Sequence, residues 1–597
     1  MGLYQHKLKT AKSEQKPRNF CFFDVEANIE KPDADTQIHT CKLGWACYQR
    51  VTTGSKPGLE QWYRFFDAAT FWNKLLSVCE RDRKLVVIGY NVGYDFRLVN
   101  GFNCLKELGY KQERLYYKSH VVIMSFKKGK HTILILDAMN YFNGKLASWG
   151  EMLQCEKGNV DFNTASIEEL SKYCKRDVLI LKLLIEKWLL FLADNKLGHF
   201  GVTRASQAMI AYRTKYMTRG IYIHADKEAT RVERESYYGG RTECFFIGTP
   251  PYKKFWKLDI NSMYPYVMRS VKVPYNLRGV RINPKLGALL KWMETKGAIA
   301  CVDLETDIPA FPYKYNNRIC FPLGRFTTTL AGPELELAAS IGAIKNVRAM
   351  ATYDTAVRFR GFIDDMYAMR RKYTDSGETV FATMVKYLMN SLYGKWGQYS
   401  ETLVECPDIG ACPDGEHIIV NLETGTKYRV VSIAGQVWQA SERTESLNSF
   451  PAISSYITSA ARVLLWKLIE KAGRKNVYYT DTDSLIVNQT GYKALKDDIC
   501  NVTLGKLKLE YATKKLILRC PKDYETDREN HIKGITSQAT KIGDSSYKQF
   551  QWQGLRGAIS TGDTDKVILS MTTKTLKRDY NKGVVLESGY VDPYVFS

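Results

Sequence analysis

The sequence contains no run of 18 or more apolar residues, so no stretch of it can cross a bilayer as a helix. It contains no internal repeat and no low-complexity tract, which sets repeat and fibrous architectures aside. The N-terminus, MGLYQHKLKTAKSEQK, lacks the apolar core that a secretory signal requires. Gly2 follows Met1, but His6 stands where a myristoylation motif wants Ser or Thr. The 14 cysteines are scattered without pattern, which points to reduced, cytosolic thiols and away from a disulfide framework. Cys406, Cys412 and His417 lie close together, but three ligands at irregular spacing read as loop residues, not a zinc site.

What is present is size, core-forming capacity and positive charge. A chain of 597 residues exceeds what one core organises, so two or more domains are expected. With 45% hydrophobic residues and 12% aromatics it can build such cores. The formal charge of +23 points to a polyanionic partner, because cations near phosphates release condensed counterions. Ribosomal, membrane-surface and heparin-binding proteins share that signature, so charge narrows the class only.

Along the chain, short β-forming runs at 20–25, 84–89 and 131–137 alternate with helical patterns, ending in a long helix over 167–193. This α/β region closes near residue 195. Beyond it, strands are expected around 256–259 and 477–487, and helices around 361–394 and 451–472. Two insertions interrupt this second region. The first, 271–360, has strands of its own and ends in a helix beginning near Gly332-Pro333-Glu334, where Pro suits the first turn. The second, 398–450, reads as hairpins, notably 418–422 against 427–433 around Glu-Thr-Gly-Thr, with an extra loop at 406–415.

Three segments of the second region carry chemistry. Leu258-Asp259-Ile260-Asn261-Ser262-Met263-Tyr264-Pro265 runs from a strand into a turn and helix. Lys386, Asn390, Tyr393 and Gly394 fall at i, i+4, i+7 and i+8 of a helix and share one face. Tyr478-Tyr479-Thr480-Asp481-Thr482-Asp483-Ser484 is a strand, a tight acidic turn and a returning strand. Nucleotide joining uses two magnesium ions about 4 Å apart, and Mg²⁺ takes hard oxygen ligands while keeping several waters. Asp259 and Asp483 are the expected carboxylates, the Ile260 carbonyl an extra ligand, and Asp481 a neighbour that tunes the site. Lys386 is expected on triphosphate oxygens, Tyr393 and Gly394 against the nascent base pair, and Arg371 and Lys372 as weaker phosphate contacts. Tyr264 stands where an aromatic ring excludes a 2′-hydroxyl, which argues for deoxynucleotides.

The first region repeats the carboxylate theme. Asp24 and Glu26 lie on one side of a strand. Asp95 follows the apolar run 85–88 in Asn91-Val-Gly-Tyr94-Asp95, and Tyr173 and Asp177 share a helix face. Four acids from three elements can hold two metals and hydrolyse a phosphodiester, with Tyr173 orienting the attacking water.

The segments at 258–265, 386–394 and 478–484 resemble motifs A, B and C of family B DNA polymerases, in the form of the protein-primed subgroup typified by small Bacillus-phage replicases. The resemblance covers nearly the whole chain and fades after about residue 530. Tyr237-Tyr-Gly239-Gly240 resembles the subgroup's Y-x-G-G motif, Thr458-x-x-Ala461-Arg462 its T-x-x-A-R motif, and Lys522-Asp-Tyr524 its K-x-Y motif, all implied to touch DNA. The acids at 24–26, 91–95 and 173–177 resemble Exo I, II and III of proofreading domains. There Lys157 resembles a subgroup-specific catalytic lysine, and Asn91 and Tyr94 are implied to hold the frayed primer end. Ala27 and Ala138-Met139 depart from the family's residues for single-strand binding.

The implied fold is an α/β, RNase H-like (DnaQ-type) exonuclease domain over 1–195, followed by an α+β right hand with two β-rich insertions. Its expected parts are palm at 196–270, a first insertion at 271–360 resembling TPR1, fingers at 361–397, a second at 398–450 resembling TPR2, palm at 451–525 and thumb at 526–597. The nucleotide-contacting set is Ile260, Met263, Tyr264, Lys372, Lys386, Asn390, Tyr393 and Gly394. The resemblance implies paired Mg²⁺ at each centre, replaceable by Mn²⁺. Its implied partners are template and primer DNA, dNTPs, a terminal priming protein and a single-stranded-DNA-binding protein. A monomer in the cytoplasm of a host cell, encoded by a phage or plasmid, completes the expectation. Two readings stand beside it: a nucleic-acid-primed repair or bypass polymerase, and an inactive DNA-binding or packaging protein, against which the full set of acids speaks.

Overall fold

A computed structural model describes residues 5–52, 58–118, 121–162, 164–400, 403–406, 409, 412–440 and 443–597. Residues 407, 408, 410 and 411 of the extra loop expected at 406–415 therefore lie outside the described residues. No helix among the described residues is long and apolar enough to cross a membrane.

The N-terminal region is built on the strand Asn19–Glu30. Its residues alternate between two cores: Phe20 and Phe22 enter the one shared with the long helix Ile167–Asp194, while Cys21, Phe23 and Val25 enter the other. This strand runs antiparallel to Thr36–Arg50 and parallel to Leu85–Gly89, which is in turn parallel to His131–Asp137. An antiparallel edge on a parallel centre, with helices against the faces, is the RNase H-like arrangement. The long helix opens with a full capping box between Ser166 and Glu169, so the helix expected over 167–193 starts where those side chains satisfy its first N–H groups.

The segments expected as palm form a five-stranded sheet in the order Thr242–Cys244, Val477–Asp481, Ser484–Val487, Phe255–Ile260, Leu507–Thr513. Behind it lies the helix Pro451–Ala472, most of whose residues are buried. The region expected as fingers is two packed helices, Arg360–Asp375 and Thr379–Trp396. The first insertion forms its own sheet, and it ends in the strand Ile344–Val357, not in the helix Gly332–Ser340 as expected. Pairing of Lys272–Ile282 with that final strand explains the difference, because the insertion must return to where it left the palm. The hairpin expected at 418–433 is present as Gly415–Val420 against Lys427–Ile433, extended by Gln436–Ala440 and Leu403–Glu405.

The segment expected as a thumb, 526–597, does not stay together. Its hairpin Ser546–Trp552 and Val567–Thr575 extends the exonuclease sheet through pairing with 36–39. Its last residues return to the palm and first insertion, where Val595–Phe596 pairs with Leu323–Gly324. Gly324 has a positive φ of 83°, and a Cβ there would collide with the Phe596 carbonyl. The second insertion also closes on this hairpin: Val431 and Ile433 share a core with Leu555, Ile559 and the exonuclease sheet.

Candidate active sites

The polymerase-type centre is assembled by backbone rungs. Asp259 pairs across the sheet with Ser484, and the Ile260 N–H donates to the Asp483 carbonyl at 2.7 Å. Thr482, at a φ of 64°, makes the turn tight enough to present Asp483. The two carboxylates, far apart in sequence, thus face one space. Burial first, then repulsion from Asp483 and Glu510, pushes Asp259 up to about 7. Burial, Asp481 and Glu510 push Asp483 up to about 6 against the pull of Lys386. Asp481 turns away: it accepts from Thr242 Oγ1 at 3.0 Å and pairs with Lys522 Nζ at 3.4 Å.

Glu510 is a third acid that the sequence reading missed. It sits where the pairing of Phe255–Ile260 with Leu507–Thr513 slips register, and Lys257 Nζ holds it at 3.2 Å. Its only sequence signal is an acid in a β-rich run.

The residues expected on the nucleotide side include a stack. The rings of Tyr264 and Tyr393 lie 4.3 Å apart at 16°, with Tyr237 beside them. Lys386 is exposed and acts on Asp483, Asn390 is half-buried, and Gly394 is exposed with open space over its α-carbon. Two expectations are corrected. Met263 is buried in the core, so its side chain is not offered to a nucleotide. Lys372 is exposed at the end of its helix, and the cation that reaches motif A is Arg370, whose Nη1 donates to Ser262 Oγ at 3.4 Å. Buried Phe362, Ile363 and Met366 mark the inner face, and Arg370 continues it at helical spacing.

The implied DNA contacts divide. Gly239 is exposed with nothing near its α-carbon, and Gly240 packs so closely on Thr482 that a Cβ would clash. Lys522 is accessible beside Asp481. Thr458, Arg462 and Tyr524 are instead buried, which corrects their expected place on DNA. Arg462 grips Glu334 with two charged hydrogen bonds, at 2.7 and 2.8 Å, and donates to the carbonyls of Tyr238 and Gly239 at 2.8 and 3.0 Å. Thr458 donates to the Ser455 carbonyl at 3.2 Å within its helix. Tyr524 donates to Glu529 at 2.8 Å and accepts from Lys257 at 3.2 Å. These residues shape the Y-x-G-G loop and palm edge from beneath.

The exonuclease-type centre gathers Asp24, Glu26, Asp95 and Asp177. Burial comes first and mutual repulsion second in raising Asp24 and Asp95 well above the carboxylate range, and Glu26 to about 7. Lys157 Nζ lies 2.5 Å from Asp177 and 4.7 Å from the Tyr173 ring centre. Asp177 Oδ1 is buried with no hydrogen-bond partner among the described residues. Ligand atoms of Asp24, Glu26 and Cys174 lie within 4.8 Å of one another. The Cys174 thiol is pushed well above its usual range by burial and donates to the Asp24 carbonyl at 3.3 Å, so it supports the centre as a protonated neighbour. An orphaned buried oxygen among close carboxylates fits hard divalent cations at this centre. The same donor chemistry fits them at Asp259 and Asp483.

Two further residues complete this site. Asp137 accepts from the N–H groups of Asn91 and Val92, both at 3.0 Å, and fixes Asn91 in its left-handed conformation, φ 66°. Trp552, from the distant C-terminal hairpin, meets Tyr94 edge-on at 5.4 Å and His39 at 4.9 Å, while the Tyr94 hydroxyl lies 2.9 Å from His39 Nδ1. Neither carries a sequence signal beyond strand ends.

A family model described as DNA polymerase type B, organellar and viral, matches residues 117–432, more than half of the chain. The chain belongs to the organellar and viral DNA polymerases of type B. A probable DNA polymerase of Neurospora intermedia is 26% identical to this type B chain over 386 residues, 60% of this chain and 37% of that protein. The DNA-directed DNA polymerase of Enterobacteria phage PRD1 is 25% identical over 437 residues, 67% of this chain and 72% of that protein. The fold matches that of Phi29 DNA polymerase complexed with primer-template DNA and incoming nucleotide, at a TM-score of 0.67 and 17% identity. That match covers 94% of this chain and 100% of the other. The family read from motifs A, B and C and the exonuclease-plus-right-hand fold class both hold.

Two outcomes follow from this geometry. Arg462→Ala leaves the Glu334 carboxylate buried and unpaired, so stability falls by about 3–5 kcal/mol without any DNA present. Thermal denaturation of the free protein checks this; lost DNA affinity at an unchanged melting temperature would return Arg462 to a contact role. Second, a raised carboxyl pKa means the folded protein holds protons that the unfolded chain, titrating at about 4, has released. The contribution of Asp259 to stability therefore declines as pH rises from about 4 through about 7. In chelator, Asp259→Asn is expected to melt higher than the parent at pH 8, with the gain shrinking towards pH 4. A gain independent of pH would contradict the repulsion.

Proposed function

We propose that the protein is a template-directed DNA polymerase with its own 3′→5′ exonuclease, replicating a phage or linear-plasmid genome inside a host cell. The observation that carries this is the meeting of Asp259, on its strand, with Asp483, in the turn before the neighbouring strand, with Lys386 and the Tyr264–Tyr393 stack beside them. Divalent cations, when bound, lower the pKa of the attacking oxygen and offset charge on the leaving group. Asp259, Asp483 and the Ile260 carbonyl would hold them for extension; Asp24, Glu26, Asp95 and Asp177 would hold them for hydrolysis. Lys386 balances triphosphate charge, Asn390, Tyr393 and Gly394 border the new base pair, and Tyr264 crowds the 2′ position of the sugar. At the other centre Tyr173, placed by Lys157, orients the attacking water. Asn91 and Tyr94 hold the primer end.

Protein-primed initiation with strand displacement is the extension of this reading. It rests on family membership and on the two insertions, the second of which closes against the C-terminal hairpin and exonuclease sheet. Closure around a strand raises effective concentration at the primer end. The partners are primer and template DNA, dNTPs, a terminal protein supplying a hydroxyl and a single-stranded-DNA-binding protein, with the enzyme acting as a monomer. Incubating template, dNTPs and the candidate priming protein without an oligonucleotide tests it: nucleotide-linked protein supports it, and oligonucleotide-dependent synthesis alone favours a nucleic-acid-primed repair enzyme.

Separate substitutions should separate the activities. Asp483→Ala is expected to cut primer extension by more than about a hundredfold and spare 3′-end degradation, since losing a metal ligand exceeds the cost of losing its supporting residues. The pair Asp24→Ala and Glu26→Ala should do the reverse; a folded variant lacking both activities would refute the two-centre division. Tyr264→Val should raise incorporation of ribonucleotides relative to deoxynucleotides, measured by single-nucleotide insertion. Unchanged sugar discrimination would remove Tyr264 from that role.

A further inference from the structure

The motif of the third exonuclease segment, Tyr173-x-x-x-Asp177, leaves position 174 open, and this chain fills it with a cysteine. The helix Ile167–Asp194 places Cys174 one turn before Asp177, on the side that meets the strand Asn19–Glu30. Its sulfur is fixed there. The thiol donates to the Asp24 carbonyl at 3.3 Å, and the side chain is buried with Leu43 and Leu170. Ligand atoms of Asp24, Glu26 and Cys174 lie within 4.8 Å of one another, and no other set of three possible metal ligands gathers so closely among the described residues. Asp177 adds Oδ1, buried and without a hydrogen bond, while Lys157 takes its other oxygen at 2.5 Å.

Sulfur changes which cation such a pocket prefers. The hard pair described for hydrolysis takes oxygen donors, whereas a thiolate favours a softer cation of the zinc and cadmium class. Tetrahedral zinc holds sulfur at about 2.3 Å and carboxylate oxygen at about 2.1 Å, which sets neighbouring sulfur and oxygen atoms roughly 3.6 Å apart. Atoms already within 4.8 Å need to close by little more than about 1 Å, within reach of side-chain rotation. Asp177 Oδ1 is available as the fourth donor. Binding is an exchange without oxidation: the S–H bond breaks, a sulfur–metal bond forms and the proton passes to water. At the polymerase-type centre Asp259, Asp483 and the Ile260 carbonyl offer oxygen alone, and no thiol-containing set gathers there among the described residues.

We propose that Cys174, Asp24 and Glu26, completed by Asp177, form a binding site for a thiophilic divalent cation of the zinc or cadmium class, which displaces the hard pair and silences 3′-end hydrolysis while extension continues. The silencing rests on the exonuclease reading above; the binding does not. Displacement follows from shared ligands, because Asp24, Glu26 and Asp177 cannot serve both sets of ions at once. One cysteine thus gives this centre a cation sensitivity that the polymerase-type centre lacks.

The test uses the reduced full-length protein, with cadmium chloride as optical probe and zinc chloride as inhibitor. Cadmium should produce the ultraviolet charge-transfer band of a sulfur–cadmium bond. Because the chain has 14 cysteines, the band is read as a difference from Cys174→Ser and Cys174→Val, each checked for folding by thermal denaturation. Both variants should lose it and bind zinc at least about a hundredfold more weakly, since losing a ligand outweighs losing a residue that supports one. The pair Asp24→Ala and Glu26→Ala should lose the band as well. A band that survives in a Cys174 variant, or in the carboxylate pair, overturns the site. In magnesium, zinc that saturates the site should cut the parent's 3′-end degradation by about tenfold or more and leave extension within about twofold, because only one centre holds sulfur. Cys174→Val, measured against its own zinc-free rate, should not respond. Equal inhibition of both activities, or hydrolysis by Cys174→Val that the same zinc stops, overturns the silencing. A parent without hydrolysis in magnesium refutes the exonuclease reading itself, and the cadmium band still decides the metal site.

Discussion

Repulsion between carboxylates that the backbone will not let separate is the constraint on which this molecule turns. Asp259 and Asp483 are held by sheet pairing and by the hydrogen bond from the Ile260 N–H to the Asp483 carbonyl, so neither can swing away when both are ionised. Glu510 adds a third negative group and Lys386 and Lys257 only partly offset it. The exonuclease-type centre stores the same tension more deeply, with four acids from three elements and one oxygen of Asp177 left unpaired. Such arrangements cost folding free energy that a hydrophobic core must supply, and a divalent cation reverses the sign of the interaction.

The surroundings keep those centres rigid. Arg462 is the clearest case: a buried guanidinium bound to Glu334 on one side and to the carbonyls of Tyr238 and Gly239 on the other. It ties the central palm helix to the first insertion and fixes the loop whose second glycine packs under Thr482. A motif that signals nucleic-acid contact thus includes members that act from below. Asp137 plays the matching part in the exonuclease-type centre by ordering the Asn91 turn.

Distant parts of the chain close the structure. The hairpin Ser546–Trp552 and Val567–Thr575 extends the exonuclease sheet and brings Trp552 to Tyr94, while the second insertion packs on the helix Leu555–Thr561 between them. The N-terminal arm, residues 5–18, joins the two halves on another side, and the last strand pins the chain's end to the first insertion over Gly324. Exonuclease and polymerase regions therefore share walls and are not beads on a string.

Local pattern determined much of this. The β-forming run 20–25, the long helix from residue 167, the hairpin around Thr482 and the helical spacing from Lys386 to Gly394 each depend on neighbours in sequence, and each stands as read. The acids were legible because metal chemistry demands those residue types within short motifs. Tertiary structure alone decided which charged and aromatic side chains reach solvent. Arg462 and Tyr524 are buried, Met263 belongs to the core and Arg370 replaces Lys372, because burial is set by what packs above a residue and not by its own segment. Glu510 and Trp552 became visible only when strands hundreds of residues apart paired, and Asp137 only when it met the turn 45 residues before it, since a cross-strand neighbour leaves no mark on the sequence beside it.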